Sequence, residues 1–238
     1  MTETPKTAVV LAGGFGLRLR PYTVVLPKPL MPVGDMPILE VIVRQLVRHG
    51  FRRIVMAVNY QAEIIRAFFA GGEKFGVSIE YSLETEPLGT MGPLHLIDGL
   101  PDNFIVMNGD ILCDLDFGAF FAEHAASRAP FTIGAARRVQ QIDYGVLIAG
   151  DDGHLTGFSE KPTTNYLVSM GVYAVNRQVL ELIPRAKFGF DQLMLRMIEE
   201  GRQVRVVPHD SYWLDIGRPD DYHRAIEEWQ QLRPAMGI

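Results

Sequence analysis

Apolar residues along the first half of the chain fall into two alternating rhythms. TAVVLAGG (Thr7 to Gly14) is a nearly continuous run of small and β-branched residues that stops on glycines, the pattern of a strand buried on both faces. A polar loop broken by prolines follows to Pro37. In PILEVIVRQLVRHG, Leu39, Ile42, Val43, Leu46 and Val47 recur at helical spacing on one face, with Pro37 suited to the first turn and Gly50 to the end. The alternation continues with a strand over 53–58, a helix over 61–70, a strand over 77–83, a short helix over 91–100 and a strand over 103–107 that runs into Asn108-Gly109-Asp110. Strand and helix in turn predict an α/β, Rossmann-like fold: a predominantly parallel central sheet with helices on both faces and right-handed crossovers.

The texture changes after Asp116. A helix over 117–127 and a strand over 131–136 precede YGVLIAGDDGHLTGFSEKP, two alternating runs around Asp152-Gly153 that predict an antiparallel hairpin. Beyond it the pattern predicts a strand over 168–175, helices over about 176–183 and 190–200, a strand over 203–208 and a closing helix over 219–231. No linker, repeat or low-complexity segment interrupts the chain. The expectation is one domain over 1–238: a nucleotide-binding half over about 1–116 and a substrate-binding half, with a small antiparallel portion, over about 117–238.

Composition narrows the picture mainly by exclusion. With 238 residues, 47% hydrophobic and 21% charged, the chain is an ordinary globular one, not a disordered, collagenous or disulfide-dense one. Its formal charge of -5, with Lys and Arg scattered, argues against a grip on nucleic acid. Cys113 is the single cysteine, so no internal disulfide can form. No run of 18 apolar residues is present to span a bilayer and the opening MTETPKT has no apolar signal core, so a cytoplasmic protein without membrane or nucleic-acid partners is expected.

Three places could carry chemistry. The loop Leu11-Ala12-Gly13-Gly14-Phe15-Gly16-Leu17-Arg18 has glycines that would let backbone N–H groups approach a phosphate. It matches neither the P-loop nor the dinucleotide spacing. On the glycines alone, a phosphate cradle and a plain tight turn weigh about equally; Lys28, held between Pro27 and Pro29, tips the balance toward a triphosphate. The second place is Asp110, at the carboxyl end of a strand, where ligands of doubly wound sheets bind. Asp215, wedged between Trp213-Leu214 and Ile216-Gly217, is its candidate partner for Mg²⁺, a hard ion that uses one or two carboxylates plus substrate oxygens. A turn or cap role for Asp110 and a structural salt bridge for Asp215 are the competing accounts. The third is Glu160-Lys161-Pro162 with Gly145, which could hold a second, anionic substrate; a solvated pair is the alternative. The six histidines show no metal-ligand spacing. Cations, backbone donors and two carboxylates without a protein nucleophile suit phosphoryl or nucleotidyl transfer.

These residues sit in motifs that resemble a known family. AVVLAGGFGLRLRP, PKPL, EPLGTMGPL, MNGDILCD, DYGVL, FSEKP, VSMGVY and YWLDIGRPDDY are similar, in order and over about 7–222, to the nucleoside-triphosphate:sugar-1-phosphate nucleotidyltransferases. Within that family, EPLGTMGPL followed by NGDILCDLDF is most similar to mannose-1-phosphate guanylyltransferases and to guanylyltransferases of bacterial surface-sugar pathways. The resemblance implies attack of the sugar-1-phosphate oxygen on the α-phosphate of a triphosphate, with release of pyrophosphate. It implies that Leu11, Ala12, Gly13, Gly14 and Gly89 line the nucleotide, that Arg18 and Lys28 hold the phosphates with Asp110 as the third catalytic residue, and that Asp110 and Asp215 bind Mg²⁺. It places the sugar phosphate on Gly145, Glu160 and Lys161, making the second half the sugar-phosphate-binding half.

Base choice follows from Glu84, which stands where thymidylyl and uridylyl relatives carry a Gln five residues before the motif glycine. Guanine presents two adjacent donors that a carboxylate can accept together, whereas uracil and thymine would set lone pairs against it. GTP is therefore expected, with UTP, dTTP or CTP as the alternative and a non-catalytic nucleotide-sugar sensor as a third reading. Leu17 departs from the Thr or Ser of the signature, and Ser169-Met170 departs from the residues usual before Gly171 in mannose enzymes. No C-terminal β-helix extension is expected, and homo-oligomerisation is left open.

Overall fold

A computed structural model describes residues 5–59 and 61–238; the first four residues, part of the segment read above for a signal core, lie outside it. Seven strands form the central sheet: β1 (Lys6–Leu11), β4 (Phe51–Val58), β5 (Ser78–Leu83), β6 (Asn103–Asn108), β8 (Phe131–Gln141), β11 (Thr163–Asn176) and β12 (Val204–His209), in the spatial order β12-β8-β11-β6-β1-β4-β5. β1, β4, β5 and β6 pair parallel, as do β8 and β12, while β11 runs antiparallel between β6 and β8. Strands of both halves of the sequence thus share one sheet. The smaller pairs are β2 (Pro32–Val33) with β3 (Met36–Pro37), β9 (Gly145–Ala149) with β10 (Leu155–Glu160), and β7 (Ile111–Cys113) with β13 (Trp213–Asp215). The helices are α1 (Ile38–Arg48), α2 (Ala62–Phe69), α3 (Phe117–Ser127), α4 (Phe190–Glu199) and α5 (Pro219–Met236).

β1 shows why the sheet is covered on both sides. Its residues alternate between two cores, as strand geometry requires. Ala8 and Val10 join Leu39, Ile42 and Leu46 of α1, Phe117 and Phe120 of α3 and Trp229 of α5. Val9 joins Val55, Phe104, Val106, Val175 and, from α4, Leu193 and Met197. A run that is apolar at successive positions therefore marks a strand with a core on each side.

Several expectations need correction. The segments read as helices at 91–100 and 176–183 are 3-10 stretches, Gly92–Leu96 and Arg177–Leu182, too short and Pro- or loop-bounded to close α turns. β8 and β11 are longer than the pattern predicts, because their outer parts pair with each other (Thr163↔Gln141 through Val168↔Ala136) as a ribbon exposed to solvent, where no buried face imposes an apolar period. β7 and β13 are not foreseen by the pattern: three residues are too few to show a rhythm. A bulge interrupts β11 between Ser169 and Tyr173. Gly171 sits there at φ +73°, and a Cβ on it would lie 2.5 Å from the Asn108 side-chain nitrogen, so a side chain is excluded both by conformation and by space.

Candidate active site

The carboxyl ends of β1, β4, β5 and β6 open onto one cleft of ≈ 320 Å³, lined by Leu11, Gly13, Gly14, Phe15, Asn59, Glu84, Pro87, Gly89, Thr90, Asn108 and Asp110. This is the edge at which open α/β sheets bind ligands. Five of the nucleotide residues expected from sequence, Leu11, Gly13, Gly14, Glu84 and Gly89, come together in its wall. Ala12 does not line it: the residue is buried and its N–H donates to the Ala57 carbonyl at 2.8 Å, so it backs the wall instead of facing a ligand. The Gly109 N–H donates to the Leu11 carbonyl at 2.9 Å, which ties the glycine loop to the Asn108-Gly109-Asp110 turn.

Lys28 lies in a single 3-10 turn, Lys28–Leu30, closed by the Met31 N–H on the Lys28 carbonyl. It is buried to 8% exposure, and its ammonium donates to Asp110 Oδ2. Asp110 Oδ1 is also buried, yet meets no hydrogen-bond donor among the described residues. A buried carboxylate oxygen without a partner carries an uncompensated desolvation cost.

Asp215 arrives by a different route. β13 pairs with β7 so that Asp215 stands opposite Ile111, and the Ile216 N–H donates to the Asp110 carbonyl at 3.1 Å. Asp215 is open to solvent on one side, but the surrounding chain desolvates it enough to raise its carboxyl pKa. The Asp110 charge raises it further, while Lys28 and Arg18 partly offset both. Arg18 is exposed and lies over Gly217, where a Cβ on the glycine would sit 3.4 Å from the guanidinium. Arg18, Lys28 and Asp110 therefore all lie within electrostatic reach of Asp215, although they are far apart in sequence from it.

An unpartnered buried oxygen on Asp110 beside a second carboxylate that is destabilised by it is what a divalent cation would relieve. Among the described residues no group of three or more His, Cys, Asp or Glu converges as a metal cage. Two carboxylates match the needs of Mg²⁺, which takes the rest of its shell from phosphates and water.

Glu84 follows β5, its own N–H donating to the Val58 carbonyl at 2.9 Å. Its side chain is buried, with Oε2 accepting the Leu88 N–H at 3.0 Å. Burial raises its carboxyl pKa and the Leu88 bond draws it partly back. The other oxygen faces Gly13, where a Cβ would come within 3.1 Å of it.

The sugar-side residues are less assembled. Gly145 and Glu160 face each other across the β9–β10 pair, with Glu160 Oε2 at 3.1 Å from where a Gly145 Cβ would be. Glu160 and Lys161 are exposed, Lys161 at φ +45°, and among the described residues no hydrogen bond or ion pair joins them to Asp110 or Asp215. Sequence reasoning missed Asn59, Pro87, Thr90 and Asn108. Asn59 and Asn108 could have been found by the rule that exposed Asp110, since each stands at the carboxyl end of a parallel strand.

The family described as Nucleotidyl transferase matches residues 7–231. The mannose-1-phosphate guanylyltransferase catalytic subunit beta of Drosophila pseudoobscura pseudoobscura is 34% identical over 222 residues, covering 90% of this chain and 60% of that protein. The UTP–glucose-1-phosphate uridylyltransferase of a Synechocystis species is also 34% identical, over 241 residues, covering 92% of this chain and 62% of that one. The chain thus spans about three fifths of the length of the curated relatives it matches. Among solved structures, HddC from Yersinia pseudotuberculosis complexed with GMP-PN superposes with a TM-score of 0.71 at 26% identity, covering 94% of this chain and 99% of that one. With its matched residues running from the first strand into the last helix, the chain belongs to the nucleotidyl transferase family.

Proposed function

We propose that the chain transfers a nucleotidyl group, GMP by preference, from a triphosphate to a mannose- or heptose-like sugar 1-phosphate. The observation that carries this reading is Asp110, with one oxygen held by Lys28, the other buried and unpartnered, and Asp215 beside it at the end of a glycine-walled cleft.

In this reading the glycine loop and Glu84 seat the nucleotide, while Lys28 and Arg18 hold its phosphates. A phosphate oxygen of the sugar 1-phosphate attacks the α-phosphorus in line, forming a P–O bond as the bond to the β-phosphate breaks and pyrophosphate leaves. The attacking oxygen is already anionic, so no protein base has to remove a proton. Lys28 and Arg18 supply fixed positive charge where negative charge accumulates, and positioning provides most of the rate. Mg²⁺ held by Asp110 and Asp215 would neutralise phosphate charge and align the substrate oxygens. Glu160 and Lys161 on the hairpin would close on the sugar phosphate as it binds.

Glu84 supports guanine, since its buried carboxylate can accept from N1–H and N2–H₂ together. The GMP-PN complex of HddC and the guanylyltransferase relatives point the same way. The uridylyltransferase at equal identity is the specific reason to keep UTP as the second reading. One domain over 1–238, working in the cytoplasm as a monomer or homo-oligomer, completes the proposal. No helix among the described residues is long and apolar enough to cross a membrane. A matrix of GTP, UTP, dTTP and CTP against several sugar 1-phosphates, read by pyrophosphate release, tests it. Turnover with GTP and a mannose- or heptose-type sugar is expected; turnover with UTP alone overturns the base assignment, and no turnover with any pair overturns the activity.

A further inference from the structure

A second cavity, of ≈ 340 Å³, lies where β12 ends and β8 leaves the sheet, lined in part by Arg137, Arg138, His209, Ser211 and Trp213. Its charges are unevenly matched. Arg137 is taken up by Asp210 at 2.6 Å. His209 and Ser211 are both tied to Asp114, the first at 2.8 Å and the second through its hydroxyl. Arg138 has no carboxylate partner among the described residues; its guanidinium lies over the Trp213 ring, 4.9 Å from the centroid. The indole is itself fixed, its Nε1–H donating to the Met170 carbonyl at 2.9 Å in the bulge of β11. A planar cation stacked on an anchored ring keeps its N–H edge free and pre-oriented, which suits two-pronged recognition of a carboxylate or phosphate.

The cavity is near the proposed chemistry. β6, β8 and β12 run in the same direction, so it opens on the sheet edge that carries Asp110. Trp213 and Asp215 are alternate residues of one strand and stand on the same face, ~7 Å apart along the backbone. Gly171, next to the Met170 that accepts from Trp213, backs onto Asn108 in the wall of the nucleotide cleft. A sugar whose 1-phosphate lies at Asp215 would reach this cavity with its far end.

We propose that the cavity takes an anionic substituent, a carboxylate or a phosphate, carried by the sugar away from its reacting end, and that Arg138 is the residue that selects it. This rests on the reading of the chain as a sugar-phosphate nucleotidyltransferase and narrows the sugar to an acidic one. The same anionic chemistry could come from free phosphate acting as an effector, and the test separates the two.

The decisive variant is Arg138→Met, which keeps a long side chain over Trp213 and removes the charge. Wild type and variant are compared on a neutral hexose 1-phosphate, the uronic acid 1-phosphate of the same configuration and the hexose bisphosphate. Binding is followed in parallel by tryptophan fluorescence, to which Trp213 is the accessible contributor because Trp229 is fully buried. The expected result is a wild-type kcat/KM about tenfold or more higher for an anionic sugar. Arg138→Met should lose that advantage through KM, leave the neutral sugar unchanged and melt at the wild-type temperature. No preference in the wild type, or equal loss on all sugars in the variant, overturns the proposal. Inorganic phosphate that perturbs Trp213 and alters turnover without competing with the sugar assigns the cavity to a free anion and also overturns it. If no pair of substrates turns over, the activity reading has failed separately. Fluorescence then still decides the cavity, since the wild type should bind the uronic acid 1-phosphate and the bisphosphate about tenfold more tightly than Arg138→Met does, and the neutral sugar 1-phosphate equally.

Discussion

Lys28 and Asp110, 82 residues apart in sequence, form a pair in which the lysine satisfies only one of the two carboxylate oxygens, leaving the other buried and bare. The pair is thus complete as an electrostatic contact and incomplete as a hydrogen-bonded one. Asp215 makes the imbalance worse, adding a second negative charge whose own pKa is raised by burial and further by the first. The site is arranged for an additional positive charge.

Asparagine at either aspartate should lower kcat by about 100-fold or more, and a chelator should silence the wild type. Stability should respond in opposite directions. Asp110→Asn strips a buried lysine of its counter-charge and should cost ~1–3 kcal/mol. Asp215→Asn removes a carboxylate repelled by Asp110, so it should raise the melting temperature of the metal-free protein. Differential scanning calorimetry in chelator distinguishes the two; a drop in both variants would contradict the repulsion.

Replacing Glu84 by Gln should reduce kcat/KM with GTP by about 100-fold while leaving melting nearly unchanged, because Leu88 can still donate to the amide oxygen. The buried carboxyl has its pKa raised, so acid should protonate it above the usual carboxylate range. KM for GTP should therefore climb as pH falls toward that range, and Glu84→Gln should lack this acid limb. A variant with unaltered base preference removes Glu84 from recognition.

Gly171→Ala forces a left-handed backbone on alanine and drives its Cβ into Asn108. A cost of ~2 kcal/mol is expected, with Tm falling ~4–8 °C. Because Asn108 lines the cleft, nucleotide affinity should weaken too. Thermal melts and a nucleotide titration check both parts.

His124 is 1% exposed, its Nδ1 paired with the Thr132 hydroxyl at 2.8 Å and its Nε2 without a partner. Burial, then the nearby Arg205 charge, lower its pKa from 6.5 to about 4. The unfolded chain therefore takes up a proton at a pH where the folded one does not. His124 does not penalise folding above about pH 6.5; its penalty grows as pH falls toward 4 and amounts to about 2 kcal/mol at pH 5. Urea titrations at pH 7 and 5 should show that loss, and His124→Gln should reduce the difference.

The first half of the chain was the more legible in sequence because its inner strands β1, β4 and β6 are buried on both faces and end where the ligand edge begins. Val9 and Val10 face opposite cores, and that alone makes their run readable. Asp110 follows such a strand, whereas Glu84 follows β5 at the sheet edge. The β8–β11 ribbon has no core to face, so its polar residues left no period, and β7 and β13 are too short to leave one. Nor could the order of residues reveal that Arg138 rests on Trp213, since that contact depends on the bulge at Met170.

The two-stranded seam between β7 and β13 also gives distant residues a hold on the chemistry. Asp215 keeps its place only while the last third of the chain stays docked. That docking rests on α5, whose Trp229 fills the space that a side chain at Gly34 would need, 2.1 Å from the indole nitrogen. Damage around Trp229 in this helix would pull one carboxylate away from the other. It would look in an assay like an active-site lesion, and its severity would track the strength of the remaining anchor, not nearness to the reacting atoms.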